Sequence, residues 1–293
     1  MRLCFWCLAL AVPANFHPAT TEASERFDIE VSRDIEFARV DGHSLKLDLH
    51  RPVGAKSAPL VVWVHGGAWR AGSKNSMPLG ELARRGYAIA SVDYRLSPVA
   101  KFPTQVHDCK AAIRFLRANA KTYGYDASKI GIAGSSAGGH LVAEIGVTNG
   151  HAKLEGTVGE HLDQSSSVQA IVDYYGPTNF LTILKQSTPH GLSVRVPALQ
   201  LLLGSQPEEN VSLAKLASPV FHVDKNDPPL LMIHGDYDPQ VPINQSHELE
   251  GRYNELGLPV QMEVIHGGAH GGPRFYDETR IELVDQFLTK FIR

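Results

Sequence analysis

The chain has 293 residues, 43% hydrophobic and 20% charged, which suits one large α/β domain or two small ones and excludes the disordered and low-complexity classes. Its net charge of -3 leaves no basic excess to draw nucleic acid or an anionic membrane surface, so a neutral small molecule or an uncharged polymer is the compatible substrate type. Three cysteines are too few for a disulfide scaffold.

The first element in chain order is a leader. Arg2 precedes an apolar run from Leu3 to Val12, and Val12 and Ala14 are small residues at the expected cleavage positions. Residues 1–14 therefore read as a signal peptide, 15–29 as a linker and 30–293 as one catalytic domain. The apolar run is too short to span a bilayer as a helix, and the surroundings of Cys7 do not resemble a lipid-attachment site. Cleavage would remove Cys4 and Cys7, leave Cys109 without a partner, and place the protein outside the cytoplasm, secreted or periplasmic.

Residues Ile35 to Val40 and Leu45 to His50 alternate apolar and polar across Asp41 and Gly42, as an antiparallel hairpin does. The runs Leu60 to Val64, Tyr87 to Val92, Ile130 to Ala133, Ala170 to Tyr174, Leu230 to Ile233 and Val260 to Ile265 are short and apolar. They suit strands buried on both faces of a parallel sheet. Helical stretches lie between them, the clearest opening at Pro103, where Val106, Cys109, Ile113, Leu116 and Ala120 recur at spacings of three and four. Cys109 falls on the apolar face and reads as a core thiol. The alternation predicts a doubly wound, mostly parallel α/β sheet with an antiparallel start, whose sites form at the carboxyl ends of strands.

Gly134, Ser135, Ser136, Ala137 and Gly138 follow one such strand and precede a helical pattern, which makes them a nucleophile elbow with Ser136 at its tip. A serine hydroxyl is a weak nucleophile unless it is held beside a base, and a tight strand-to-helix turn does this. Backbone donors for an oxyanion are expected from the loop His65, Gly66, Gly67, Ala68, Trp69, with Gly67 and Ala68 assigned there and Ala137 supplied by the residue after the nucleophile. His65 would hold the shape of that turn. After Leu230 to Ile233 come two aspartates. Asp238 is preferred because it lies farther out, whereas Asp236 could fold back onto its own backbone as a turn residue. After Val260 to Ile265 a glycine-rich loop presents His270, while His266 sits at the strand end and reads as packed or loop-bonding. The order Ser136, Asp238, His270 is that of the α/β-hydrolases.

With these residues assembled, the chain resembles the bifunctional feruloyl and acetyl xylan esterase-like (BD-FAE-like) branch of the α/β-hydrolase superfamily across nearly all of 30–293. The stretches that carry the resemblance are His65 to Trp69 through Gly72, the run Asp93, Tyr94, Arg95, Leu96, Ser97, the elbow with Gly139 and His140, then Tyr175 to Thr178, and the acid and histidine loops. The resemblance implies a Ser, His, Asp esterase with no cofactor and no metal, acting on acetyl or feruloyl groups of plant polysaccharide, and it supports Asp238 and His270 over their neighbours. Hormone-sensitive-lipase relatives share the Tyr94 to Ser97 run, but they show three glycines where this chain has Ala68, and they carry a helical cap where this chain reads as a hairpin. A general short-chain esterase, lipase or polyester hydrolase is the alternative, followed by a peptidase or a silent binding protein.

For the substrate pocket, Trp69, Tyr94 and Tyr175 are the candidate lining residues. Gly150 to Ser167 and Phe180 to Val223 are the segments expected to roof it. Oligomeric state has no signature in the sequence.

Overall fold

The strand sequences decide which helices lie on which side of the sheet, because alternate residues of a strand face opposite ways. The computed structural model describes residues 26–293, so the leader at 1–14, with Cys4 and Cys7, lies outside the described residues. Eight strands form one sheet: β1 (Ile29–Val40), β2 (His43–Pro52), β3 (Ala58–Val64), β4 (Ala88–Val92), β5 (Tyr125–Ser135), β6 (Ala170–Tyr174), β7 (Leu230–Gly235) and β8 (Val260–Ile265). Their order is β1-β2-β4-β3-β5-β6-β7-β8. β1 and β2 pair antiparallel, β2 meets β4 antiparallel, and all later pairs are parallel. This is the α/β-hydrolase fold with the antiparallel start read from the sequence.

Among the described residues ten α-helices connect or flank the strands: α1 (Gly80–Arg84), α2 (Thr104–Ala118), α3 (Ala120–Tyr123), α4 (Ala137–Gly146), α5 (Ala152–Glu155), α6 (Ile183–Gln186), α7 (Pro189–Leu203), α8 (Val211–Leu216), α9 (Asn244–Leu256) and α10 (Glu278–Ile292). Val61, Trp63, Ile89, Ala133, Val172 and Leu231 join α1 and α10 in one apolar layer. Their strand neighbours Leu60, Val62, Ala90, Ile132, Ile171 and Leu230 join α2, α4 and α9 in the other. Both faces of the central strands are covered, which is why those strands read as unbroken apolar runs. Cys109 is fully buried on α2, as its spacing predicted.

Several features differ from the sequence reading, and β1 and β5 start well before the runs at Ile35 and Ile130. The ordered fold begins before residue 30, since the Phe27 N–H donates to the Arg84 carbonyl at 2.8 Å. Ala120 lies past the end of α2, in the separate turn α3. Gly150 to Ser167 does not roof Ser136. It runs along α2 instead, where Lys110 and Arg114 hold Glu155 and the Arg117 guanidinium donates to the carbonyls of Ser165 and Ser167. The physical reason is direction: α4 starts at the elbow and runs away from the carboxyl edge of the sheet, so the segment leaving it starts far from Ser136. Among the described residues no helix is long and apolar enough to cross a membrane.

Two side-chain positions fix the elbow's surroundings. A Cβ at Gly138 would stand 2.0 Å from the Val64 carbonyl oxygen, so α4 can press against the end of β3 only with glycine there. Asp173, fully buried on β6, accepts the Gly176 N–H at 2.8 Å through Oδ1 and leaves Oδ2 unpartnered. Burial pushes its carboxyl up to about 6, against the opposing pull of that N–H and of His234.

Gly138→Ala is expected to destabilise the fold by about 3 kcal/mol, the upper range for an overpacked backbone contact. Gly80→Ala, whose Cβ would meet open space, should be neutral or slightly stabilising. Urea midpoints at unchanged slope would check both. Asp173 titrates in the folded state above its unfolded value of about 4, so the stability it contributes is whole below that pH and is lost as pH rises through about 6. Asp173→Asn keeps an acceptor for the Gly176 N–H. Relative to wild type it should therefore gain about 2 kcal/mol between pH 4 and pH 8 in the same denaturation experiment.

Candidate active site

Ser136 sits between β5 and α4 with φ 54° and ψ -117°, a backbone conformation that a non-glycine residue adopts only under constraint. The constraint is visible on both sides. Its N–H donates to the Tyr174 carbonyl at 2.8 Å, and its carbonyl accepts the His140 N–H at 3.0 Å. The turn projects the side chain at the carboxyl edge of the sheet, where the loops after β3, β7 and β8 converge.

His270 lies on the loop after β8. Its Nδ1 is 2.6 Å from Asp238 Oδ2, and its Nε2 is 2.8 Å from Ser136 Oγ. An ionised carboxylate can only accept, so Nδ1 carries the ring proton and Nε2 is left to accept the serine O–H. The chain Ser136, His270, Asp238 is thus continuous and correctly polarised in the resting state. Adjacent pairing of β7 and β8 brings the two loops together, and the Tyr237 N–H donates to the Gly268 carbonyl at 2.9 Å where they cross.

Asp238 is held on every side. Oδ1 accepts the N–H groups of Gln240 and Val241 at 2.8 and 2.9 Å. His234 Nε2 faces both Asp238 Oδ2 at 3.3 Å and the Val241 carbonyl at 3.0 Å, while its Nδ1 accepts the Ser246 hydroxyl at 2.7 Å. Burial pushes the Asp238 carboxyl up, but hydrogen bonds from His234 and His270, the His270 charge and the Val241 N–H outweigh it and hold the group well below the usual carboxylate range. His234 was not singled out in the sequence. The available signal was a histidine closing an otherwise apolar strand directly before the acid loop.

The two aspartates exchange their expected manners. Asp238 is the one that closes a turn on its own backbone. Asp236 reaches across to the next loop, accepting the Gly267 N–H at 2.7 Å and pairing with His266 at 2.9 Å. His266 is 86% exposed, so it bonds the loop, as expected, and is not packed. Both pairs tie the same two loops, and only the inner one touches Ser136.

The loop after β3 lies against the elbow, since a Cβ at Gly66 would meet the Ser135 carbonyl at 2.8 Å and Ser136 Cβ at 3.3 Å. The Gly67 carbonyl accepts from Arg70 and Ala71, at 3.1 and 3.0 Å, and so closes a turn. Within it Ala68 takes φ 52° and Trp69 φ 58°, so alanine occupies a left-handed position that favours glycine. The N–H groups of Gly67, Ala68 and Ala137 have no acceptor among the described residues. The run Asp93 to Ser97 buttresses this loop from behind. The Ser97 N–H donates to the Trp69 carbonyl, the Tyr94 hydroxyl to the His65 carbonyl, and Arg95 grips Asp108 through two nitrogens. His65 packs flat on Tyr94 at 4.4 Å and contacts the Gly66 carbonyl, the shape-holding place expected for it.

Of the expected pocket residues, Tyr175 alone touches the chain of three, its ring 4.8 Å from that of His270. Tyr94 is engaged with His65 and is a packing residue. Trp69 is fully buried, its indole N–H donating to His140 Nδ1 at 3.1 Å, while His140 Nε2–H donates to the Ala217 carbonyl at 2.9 Å. Burial lowers His140 to about 4, which keeps Nδ1 free to accept. A cavity of about 340 Å³ is lined by Trp63, Gly66, Ser76, Met77, Pro78, Tyr276 and Ser135, the residue before Ser136. Gly66 and Ser135 belong to the oxyanion loop and the elbow, whereas no local motif marks Trp63, the stretch Ser76 to Pro78 or Tyr276. A larger cavity of about 610 Å³ lies between the β1 hairpin and residues 157–161, away from Ser136. Phe180 to Val223 packs against the elbow helix and the acid loop: Phe180 stacks on His140, and the Thr188 hydroxyl at the start of α7 donates to the Pro239 carbonyl at 2.8 Å.

Comparison with known proteins places this geometry in context. Esterase LipC of Mycobacterium tuberculosis is 34% identical over 74% of this chain and 53% of its own length. The chain spans about half the length of curated relatives such as this one. Among solved structures, a truncated carbohydrate esterase from gut microbiota is 35% identical with a TM-score of 0.82, over 92% of this chain and 98% of that one. A bifunctional GH43-CE protein of Bacteroides eggerthii is 36% identical with a TM-score of 0.80, over 89% of this chain and 35% of that one. The BD-FAE family model matches residues 47–253, and the chain belongs to that family.

Proposed function

We propose that this chain is a serine carboxylic ester hydrolase that removes acetyl or feruloyl groups from plant polysaccharide. The observation that carries the reading is the unbroken hydrogen-bonded chain from Ser136 Oγ through His270 to Asp238, on an elbow whose neighbouring loop offers unpaired N–H groups. Carbohydrate as the alcohol side rests on the two carbohydrate-esterase neighbours, and the aromatic walls of Trp63 and Tyr276 beside Ser135 suit a short or flat acyl group. Export through the leader at 1–14 belongs to the same proposal.

In the reaction, Ser136 Oγ attacks the ester carbonyl while His270 Nε2 takes its proton. Asp238 keeps the imidazole in the one tautomer that can accept and stabilises the imidazolium that forms. The negative charge on the former carbonyl oxygen is received by the N–H groups of Gly67, Ala68 and Ala137. Collapse expels the alcohol, which takes the proton back from Nε2, and leaves an acyl-Ser136. Water then repeats the cycle, giving up a proton to His270 and releasing the acid.

Ser136→Ala should lower turnover of 4-nitrophenyl acetate by at least about a thousand-fold and abolish labelling by a fluorophosphonate, with the fold intact by circular dichroism. Wild-type turnover in that variant would sink the mechanism. Asp238→Asn should cost about a hundred- to ten-thousand-fold in kcat, whereas Asp236→Asn should stay within about threefold. The reverse ranking would reassign the acid. A panel of acetylated xylan, methyl ferulate and nitrophenyl esters of rising chain length tests the substrate. Preference for long acyl chains would favour a lipase.

A further inference from the structure

Among the described residues, buried arginines have carboxylate partners, with one exception at the site. Arg85 is tied to Glu278, Glu282 and Asp285, and Arg114 to Glu155 at 3.0 Å. Arg195, on α7, is 1% exposed, and its Nε and Nη1 have no hydrogen-bond partner among the described residues. Its guanidinium stands over the Trp69 ring, 5.8 Å from the centroid. Leaving a buried cation without an acceptor costs several kcal/mol on the order of magnitude of measured cases, so a position that tolerates it calls for an explanation.

Its place in the fold supplies one. α7 rests on the acid loop, with the Thr188 hydroxyl on the Pro239 carbonyl and Gly191 against the carbonyls of Pro239 and Gln240. One turn further along, Arg195 reaches the oxyanion loop at Trp69. It therefore bridges the two loops that flank Ser136 and His270. Burial lowers its pKa to about 10, with the Asp238 charge opposing that fall and the Arg70 charge adding to it, so it stays a cation at neutral pH. Arg70, exposed on the same oxyanion loop, contributes a second positive charge to this rim. Asp238 cannot serve as its partner, because both its oxygens are taken by His270, His234 and two backbone N–H groups.

We propose that Arg195 is a specificity-determining residue that receives a carboxylate carried by the ester substrate, so that esters bearing an acidic group near the scissile bond are preferred over neutral ones. A guanidinium offers a planar fork of donors that a carboxylate matches with two parallel hydrogen bonds, and the dry setting over Trp69 strengthens them. The carboxylate can belong to the sugar side, as a uronic acid unit, or to the acyl side, as the free end of a dicarboxylic half-ester. The inference rests on the esterase reading of the same site.

Two matched substrate pairs separate the sources: acetylated xylo-oligosaccharides with and without a uronic acid branch, and mono-4-nitrophenyl succinate against 4-nitrophenyl acetate. In at least one pair, wild-type kcat/KM should favour the acidic member, and the preference should shrink as ionic strength rises. Arg195→Gln should lower kcat/KM for that member by about ten- to a hundred-fold, mainly through KM, while 4-nitrophenyl acetate stays within about threefold. Arg195→Lys should restore part of the preference. Equal losses on acidic and neutral esters, or no preference by wild type in either pair, would overturn the proposal and leave Arg195 a packing residue. Calorimetric binding of the deacetylated acidic and neutral oligosaccharides and of succinate to wild type and to Arg195→Gln reads the same contact without turnover. Absence of Ser136-dependent hydrolysis would refute the esterase reading. Absence of any Arg195-dependent binding of the acids would refute this one.

Discussion

Everything at this site hangs on a backbone turn that would not persist alone. Ser136 holds a strained φ and ψ because β5 ends and α4 begins within one residue, and the surrounding structure determines both directions. The Tyr174 carbonyl takes its N–H, α4 takes its carbonyl, and the close approach of Gly138 to the Val64 carbonyl forbids relaxation. Such strain costs about 1–3 kcal/mol and survives only where packing over-determines it. Here the packing is the core of the sheet itself, since every residue of α4 is buried. The nucleophile is therefore as rigid as the fold.

The same anchoring extends outward through histidines, each with its tautomer set by a different acceptor. His140 takes the Trp69 N–H because its other nitrogen donates to Ala217, and so α4 fixes the oxyanion loop as well as the serine. His234 holds Asp238 from below, and His270 presents one nitrogen to Asp238 and the other to Ser136. The Asp238 carboxylate stays ionised despite burial because donors surround it. Arg195 is the buried cation at this site that the network leaves without a carboxylate among the described residues, and so it points beyond them for its partner.

Sequence reading located the elbow, the acid and the histidine because each follows an apolar run that can only be a buried strand, and glycines mark where loops must crowd together. It preferred Asp238 to Asp236, a choice that the hydrogen bond from His270 supports, but for an incomplete reason. Distance along the loop did not decide the matter, since Asp238 is the residue that turns back on its own backbone. Asp236 lost because its side chain faces solvent, where His266 meets it. The aromatic wall was misread for a similar reason. Trp69 lies within the oxyanion motif and Tyr94 in the run that buttresses it, but loop curvature turns both into the core, whereas Trp63 on β3, Met77 and Tyr276 reach the cavity from three separate segments.

The sequence by itself determined the sheet, the direction of its strands and which residues are proposed to react, because burial periodicity and glycine placement are local properties written residue by residue. Only the tertiary structure decided which segment packs against the elbow helix and the acid loop, which aromatics border the cavity, and that Arg195 stands there without a carboxylate among the described residues. Those are relations between chain segments far apart in sequence, fixed by how helices pack on the two faces of the sheet, and no local pattern records them.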